Sequence, residues 1–121
     1  MKRDVDLARD ILAQVEGFPF DGKPRDVKFE GHPREEISYH VMLLEEAGLL
    51  KAANHSSMDG IEYIPIRLTH AGHEFIEAAR QDTLWKEAKD ATLRSTGTLT
   101  IEGLKITLAA LIQHAAKVIF K

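Results

Sequence analysis

An α+β fold is predicted by three signals that follow one another in this chain of 121 residues. Pro33 to Leu50, PREEISYHVMLLEEAGLL, reads as an amphipathic helix that stops at Gly48 and runs into an apolar strand start. A polar stretch rich in small residues, Asn54 to Gly60, separates that strand from a returning one at Tyr63 to Leu68. Thr69 then opens another helix. A helix followed at once by a hairpin and a further helix is a winged-helix-like pattern, with the first helix in the recognition position. The expected architecture is a winged-helix-like domain of three short strands and several helices over residues 1–94. A helical C-terminal extension, residues 95–121, is expected to pack on it or to serve dimerisation.

Each element has a local cause. Asp4 can accept hydrogen bonds from the free amides of a first turn, Leu7, Ile11, Leu12 and Val15 recur at helical spacing, and Gly17 supplies a stop. In Phe18 to Gly31, FPFDGKPRDVKFEG, Pro19 and Pro24 oppose a helix, while Val27 and Phe29 alternate with charged neighbours as a short edge strand, the third of the fold. Pro33 suits the first position of the next helix, Glu35 and Glu36 suit its positive end, and Ile37, Val41 and Leu44 form its buried stripe. After Thr69, Phe75, Ile76 and Ala79 face inward; a bend is expected near Gln81, with Asp82 as a second cap before Leu84, Trp85 and Ala88.

Ser95 to Gly97 is a short break before the final helix, whose stripe holds Leu104, Leu108, Leu111, Ile112, Ala115, Val118 and Ile119. Glu102, Lys105, Gln113 and Lys117 lie on its polar side. Two readings of that stripe stand side by side: a homodimer interface, or packing onto the chain's own first helix. Lys105, Gln113, His114 and Lys117 interrupt the run and oppose a membrane span.

Composition narrows the classes of function. An apolar share of 44% suits one domain with a core, and a net charge of −3 excludes a generally basic nucleic-acid binder. The chain has no cysteine, hence no disulfide, thiolate metal site or cysteine nucleophile. MKRDVDLARD carries acids where a secretory leader needs an apolar stretch, and a cytoplasmic location is expected. There is no internal repeat and no low-complexity tract.

MKRDVDLARDIL, EEISYHVMLLEEAGLL and IPIRLTHAGHEFIEAARQDTLW, in that order, resemble an uncharacterised bacterial and phage-associated group, domain-of-unknown-function family 2513. The resemblance covers roughly residues 1 to 94. It implies a winged-helix-like fold and DNA binding, with no established activity and no catalytic residues to carry over. Ordinary winged-helix regulators, such as arsenic-repressor-like proteins, place a supporting helix just before the recognition helix. Here Pro24 and the alternation from Val27 to Glu30 leave no room for one, so a strand and loop take its place.

If the middle helix enters a groove of DNA, the side chains opposite its buried stripe are Arg34, Glu35, Ser38, Tyr39 and Met42. Arg34 could read guanine or hold a phosphate, Ser38 and Tyr39 could donate to phosphate or base edges, and Lys51 and Arg67 flank the wing for backbone contacts. The nucleic-acid candidates are therefore Arg34, Ser38, Tyr39, Met42, Lys51 and Arg67, with solvated side chains as the plain alternative.

Charge argues for that alternative and for another partner. On the helix Arg34 stands against Glu35, Glu36, Glu45 and Glu46, and between Asn54 and Glu62 the only charges are Asp59 and Glu62. Residues 33–80 hold four basic and eight acidic side chains, −4, whereas residues 81–121 hold six and four, +2. A regulator of transcription bound to double-stranded DNA is one reading. A protein-interaction or adaptor module using Tyr39, Met42 and the acidic rim, or a strand added beside Val27 to Phe29, is the other.

Catalytic motifs are missing from the sequence: no Gly-rich phosphate loop, no GxSxG elbow and no dinucleotide fingerprint. His70, His73, Glu74 and Glu77 have spacings that could share a metal, with His55 as a conceivable further ligand, but do not match HExxH. They are read as solvated or capping residues, His40 as a hydrogen-bonded residue near the core and His32 as a helix cap. The expectation is a non-enzyme without metal or cofactor.

Overall fold

A computed structural model describes residues 1–119, with side-chain surroundings for residues 1–114. Asp4 opens α1, Val5–Glu16, by accepting hydrogen bonds at Oδ1 from the amides of Asp6 and Leu7, both at 3.1 Å. The four apolar positions read from its spacing, Leu7, Ile11, Leu12 and Val15, are all buried in the core. α2, Arg34–Glu46, buries Ile37, Val41 and Leu44 as expected. Pro33 stands just outside it as its N-cap and offers no side-chain hydrogen bond.

No helix separates α1 from α2, in agreement with the reading of the two prolines. The third strand, however, does not form: among the described residues the sheet has two strands, β1, Leu50–Asn54, and β2, Tyr63–Leu68. Val27 is buried, but Phe29 makes only an isolated bridge to His32. The cause lies in β2. The Arg25 amide donates to the Pro65 carbonyl at 3.0 Å, and Pro65 has no N–H with which to return a bond, so pairing cannot propagate along that edge.

β1 and β2 pair antiparallel, Leu50 opposite Leu68 and Asn54 opposite Tyr63, with a register shift between Lys51 and Ala52. The Ala52 amide at this irregularity donates to Glu45 Oε2 of α2 at 2.6 Å. Gly48, at φ 78°, makes the sharp turn from α2 into β1.

Thr69 caps α3, His70–Ala79, through its Oγ1, which accepts from Gly72 at 3.0 Å and donates to the Gly48 carbonyl at 2.6 Å. A methyl group built on Gly72 would lie 1.8 Å from the Leu49 carbonyl oxygen, so only glycine lets α3 approach the corner this closely. The expected bend near Gln81 is a break: α3 ends at Ala79, and α4, Asp82–Thr96, begins with Gln81 in the cap position instead of Asp82. Gly97, at φ 79°, closes α4.

α5, Ile101–Ile119, packs on α3 and α4. Ile101, Leu104 and Leu108 are buried, Leu111 is half-buried and Ile112 is 44% exposed. The side chains of Ala115, Val118 and Ile119, part of the expected stripe, and of Lys117 on its polar side lie outside the described residues. Lys105 Nζ donates to the Ala47 carbonyl at 2.7 Å, supplying to the end of α2 a cation from 58 positions away. Among the described residues no helix is long and apolar enough to cross a membrane.

α1 and α4 are joined by a polar network around Trp85. Its indole N–H donates to Asp6 Oδ1 at 2.8 Å, Lys89 Nζ to the same oxygen at 3.0 Å, and the Arg9 guanidinium lies 5.2 Å from the ring centroid. Partial burial opposes ionisation of Asp6, but the Trp85 and Lys89 hydrogen bonds and the nearby Lys89 and Arg9 charges together outweigh it and hold its carboxyl below the ordinary aspartate range.

Two outcomes follow for stability. Gly72→Ala should lower the unfolding free energy by about 3 kcal/mol in a urea titration with unchanged slope, because backbone must move to relieve the collision. Asp6 is more acidic folded than unfolded, so its contribution is present above the unfolded value near pH 4 and is lost as the pH falls through the folded one. Asp6→Asn should lower the melting temperature at pH 7 and narrow its gap from the unsubstituted protein as melts are taken below pH 4.

Candidate docking groove between α2 and the hairpin

The hairpin lies along α2 with its base at the helix C-terminus and its tip beside the N-terminal half. Two contacts fasten it there. The Tyr63 amide donates to Ser38 Oγ at 3.4 Å, and Arg34 NH2 meets Glu62 Oε1 at 2.6 Å. Between the outer face of α2 and the tip runs a groove of about 610 Å³, with Tyr39 and Met42 on the helical wall and Asp59, Gly60, Ile61 and Glu62 on the other. Met1 also lines it.

Four of the six residues read as nucleic-acid candidates converge on this groove: Arg34, Ser38, Tyr39 and Met42. Their roles differ from those a free outer face would give them. Ser38, expected to face outward, is only 5% exposed because the hairpin backbone covers it. Arg34 is exposed, but its guanidinium is shared between Glu62 at 2.6 Å and Asp26 at 3.6 Å. Tyr39 is half-buried and stands edge-on to the His40 ring at 5.5 Å, leaving its outer part to the groove. Lys51 and Arg67 do not join them. They face each other at the hairpin base, and Arg67 NH1 donates to the Leu68 carbonyl at 3.1 Å.

The hairpin tip adds what the sequence did not single out. Ser57 and Gly60 bridge each other, and the turn between them thrusts Met58 fully into solvent. Ile61 is 66% exposed and Met1 64%. The groove is therefore apolar at its mouth and acidic along its rim, where Glu35, Asp59 and Glu62 outnumber the already paired Arg34. A signal was present in the unbroken absence of Lys and Arg from Ala52 to Ile66 together with Met58 and Ile61 in a polar loop.

The histidines fall into two groups. His40 is buried, and its ring bridges two elements: the Asp4 amide donates to Nε2 at 2.7 Å, and Nδ1 meets the Glu36 carbonyl at 2.8 Å. An amide can only donate and a carbonyl only accept, which fixes the neutral tautomer with its proton on Nδ1. His32 pairs with Glu36 through Nδ1 instead of capping α2. His70 and Glu74 are an exposed pair at 3.6 Å, while Glu77 turns to Arg80 at 3.0 Å. His55 belongs to the hairpin loop, its amide bound to the Glu62 carbonyl.

A family described as "Hypothetical protein (DUF2513)" matches residues 2–98. An "Uncharacterized protein" of Haemophilus influenzae is 35% identical over 115 residues, covering 94% of this chain and 98% of that protein. No solved structure matches the chain. The match over residues 2–98 and the near full-length relative together place the chain in the DUF2513 family.

Proposed function

We propose that this protein is an interaction module whose α2–hairpin groove takes a protein segment carrying basic side chains beside apolar ones. The observation that carries the reading is the hairpin tip: Met58 and Ile61 stand in solvent beside Asp59 and Glu62, and the guanidinium in the groove is already shared by two carboxylates. Exposed apolar side chains grouped at one place mark interaction sites, and an acidic rim favours a basic partner over a polyanion. Tyr39 and Met42 suit the floor of such a site, one as a stiff amphipathic surface and the other as an adaptable one.

The second reading, a winged-helix-like regulator on double-stranded DNA, rests on the placement of α2 and a hairpin tip along one groove, and on the exposed Lys51 and Arg67. A phosphate there would have to displace Glu62 and Asp26 from Arg34 and approach Asp59 and Glu35 at once.

Amide chemical shifts distinguish the two. A short peptide that mixes Arg and Lys with Leu and Phe should shift Tyr39, Met42, Met58 and Ile61, and Met58→Ser with Ile61→Ser should weaken it roughly tenfold, about 1.4 kcal/mol. An acidic peptide of the same apolar content should leave these amides unmoved. Random duplex DNA that shifts the α2 face, with affinity falling steeply as salt rises, would overturn the proposal in favour of the DNA reading.

A further inference from the structure

The geometry points to a divalent-metal site formed by Asp4, His32 and Glu36, on the side of α2 that faces α1. One ligand atom from each residue, an imidazole nitrogen and two carboxylate oxygens, lies within 4.8 Å of the other two, and all three side chains are half-buried. The three come from separate places in the chain: the cap of α1, the end of the long loop and the first turn of α2.

Helix capping does not use up the donors. Both capping bonds of Asp4 go to Oδ1, so neither engages Oδ2. Glu36 meets His32 through Oε1 and Nδ1, so the two side chains already converge on one place. Two carboxylates this close repel each other, and a dication between them relieves the repulsion.

A second feature sits beneath the donors. His40, buried, takes the Asp4 amide on Nε2 and gives Nδ1–H to the Glu36 carbonyl, so the backbone of both carboxylate residues is held by one rigid ring. Such support fixes the spacing of ligands before metal arrives. Beside Asp4 and Glu36 opens a cavity of about 390 Å³, with room for water in the remaining coordination positions.

The donor set selects the metal. One imidazole with two carboxylates suits zinc, cobalt or nickel better than magnesium or calcium, which prefer oxygen alone. Two helix N-termini and the neighbouring Lys2 and Arg3 work against any cation there. Affinity in the micromolar rather than the nanomolar range is the result. The exposed His70–Glu74 pair, which lines a different cavity, provides a natural control.

Cobalt(II) added to the metal-free full-length chain tests the site. One equivalent should bind with visible d–d absorption, zinc should displace it, and either metal should raise the melting temperature by linkage. His32→Ala and Glu36→Gln should each weaken binding at least tenfold, about 1.4 kcal/mol, and His70→Ala should leave it unchanged. Asp4→Asn is the sharpest variant, because asparagine caps a helix as well as aspartate does: the fold stays, and the metal-dependent rise in melting temperature should shrink. A folded protein that binds neither metal up to millimolar concentration overturns the site. So does binding that survives His32→Ala or vanishes with His70→Ala.

Discussion

The corner at Ala47 to Leu50 is the constraint on which the rest of the fold depends. A helix leaves its last carbonyls without intrahelical partners, and those of Leu43, Leu44 and Glu45 are answered within the turn by the amides of Ala47, Leu49 and Gly48. The carbonyls of the three residues that carry the chain from helix into strand take their partners from later in the sequence. Ala47 gives its carbonyl to Lys105 of α5, Gly48 to the Thr69 hydroxyl, and Leu49 to the Thr69 amide, while Gly72 of α3 lies against the same Leu49 oxygen. Leu49 and Leu50 are wholly buried beneath them. One turn thus sets the start of the hairpin, the entry of α3 and the docking of α5, and thereby the angle at which the hairpin lies along α2.

With the base of the hairpin set at that corner, the tip needs only weak fastening, and weak fastening is what Ser38 and Arg34 provide. The Tyr63–Ser38 hydrogen bond is long, and the Arg34 pair is exposed, a class worth under about 1 kcal/mol. The tip can therefore adjust to a partner without loss of the fold, since no core residue lies in the turn from Ser57 to Gly60. The same arithmetic bears on Arg34. Its carboxylate partners do not hold it strongly, but they cancel the field that would draw a phosphate toward the groove.

Local signals were legible in the sequence, and relations between distant segments were not. Asp4, Thr69, Gly48 and the apolar stripes of α1, α2 and α3 announced their elements because capping and helical spacing act within a few residues. The edge strand failed for a reason written at Pro65, some 38 positions from Val27, where a missing N–H forbids the ladder. Ser38 was misplaced because α2 is covered on two sides. Its apolar stripe reports the core, but a close hairpin backbone selects a small polar side chain that no hydrophobic pattern reveals. The gathering of Asp4 with His32 and Glu36 was equally hidden: only the spacing of His32 and Glu36 is local, and the third donor comes from a different helix.

α2 is dependent on its surroundings at both ends, and this defines the true extent of the folding unit. Its N-cap is a proline without a side-chain hydrogen bond, and its last turn has no basic residue of its own. Glu35 and Glu36 answer the positive end locally, but the negative end is answered by Lys105, beyond the family match at residues 2–98. The Haemophilus influenzae relative aligns over 115 residues and so reaches well into this segment. Ile101, Leu104 and Leu108 are buried in the same core as α2, so the first half of α5 belongs to the domain rather than extending from it. Whatever surface α5 offers to another molecule must then come from its outer side, where Ile106 is 70% exposed, because the inner side is already committed to holding the corner in place.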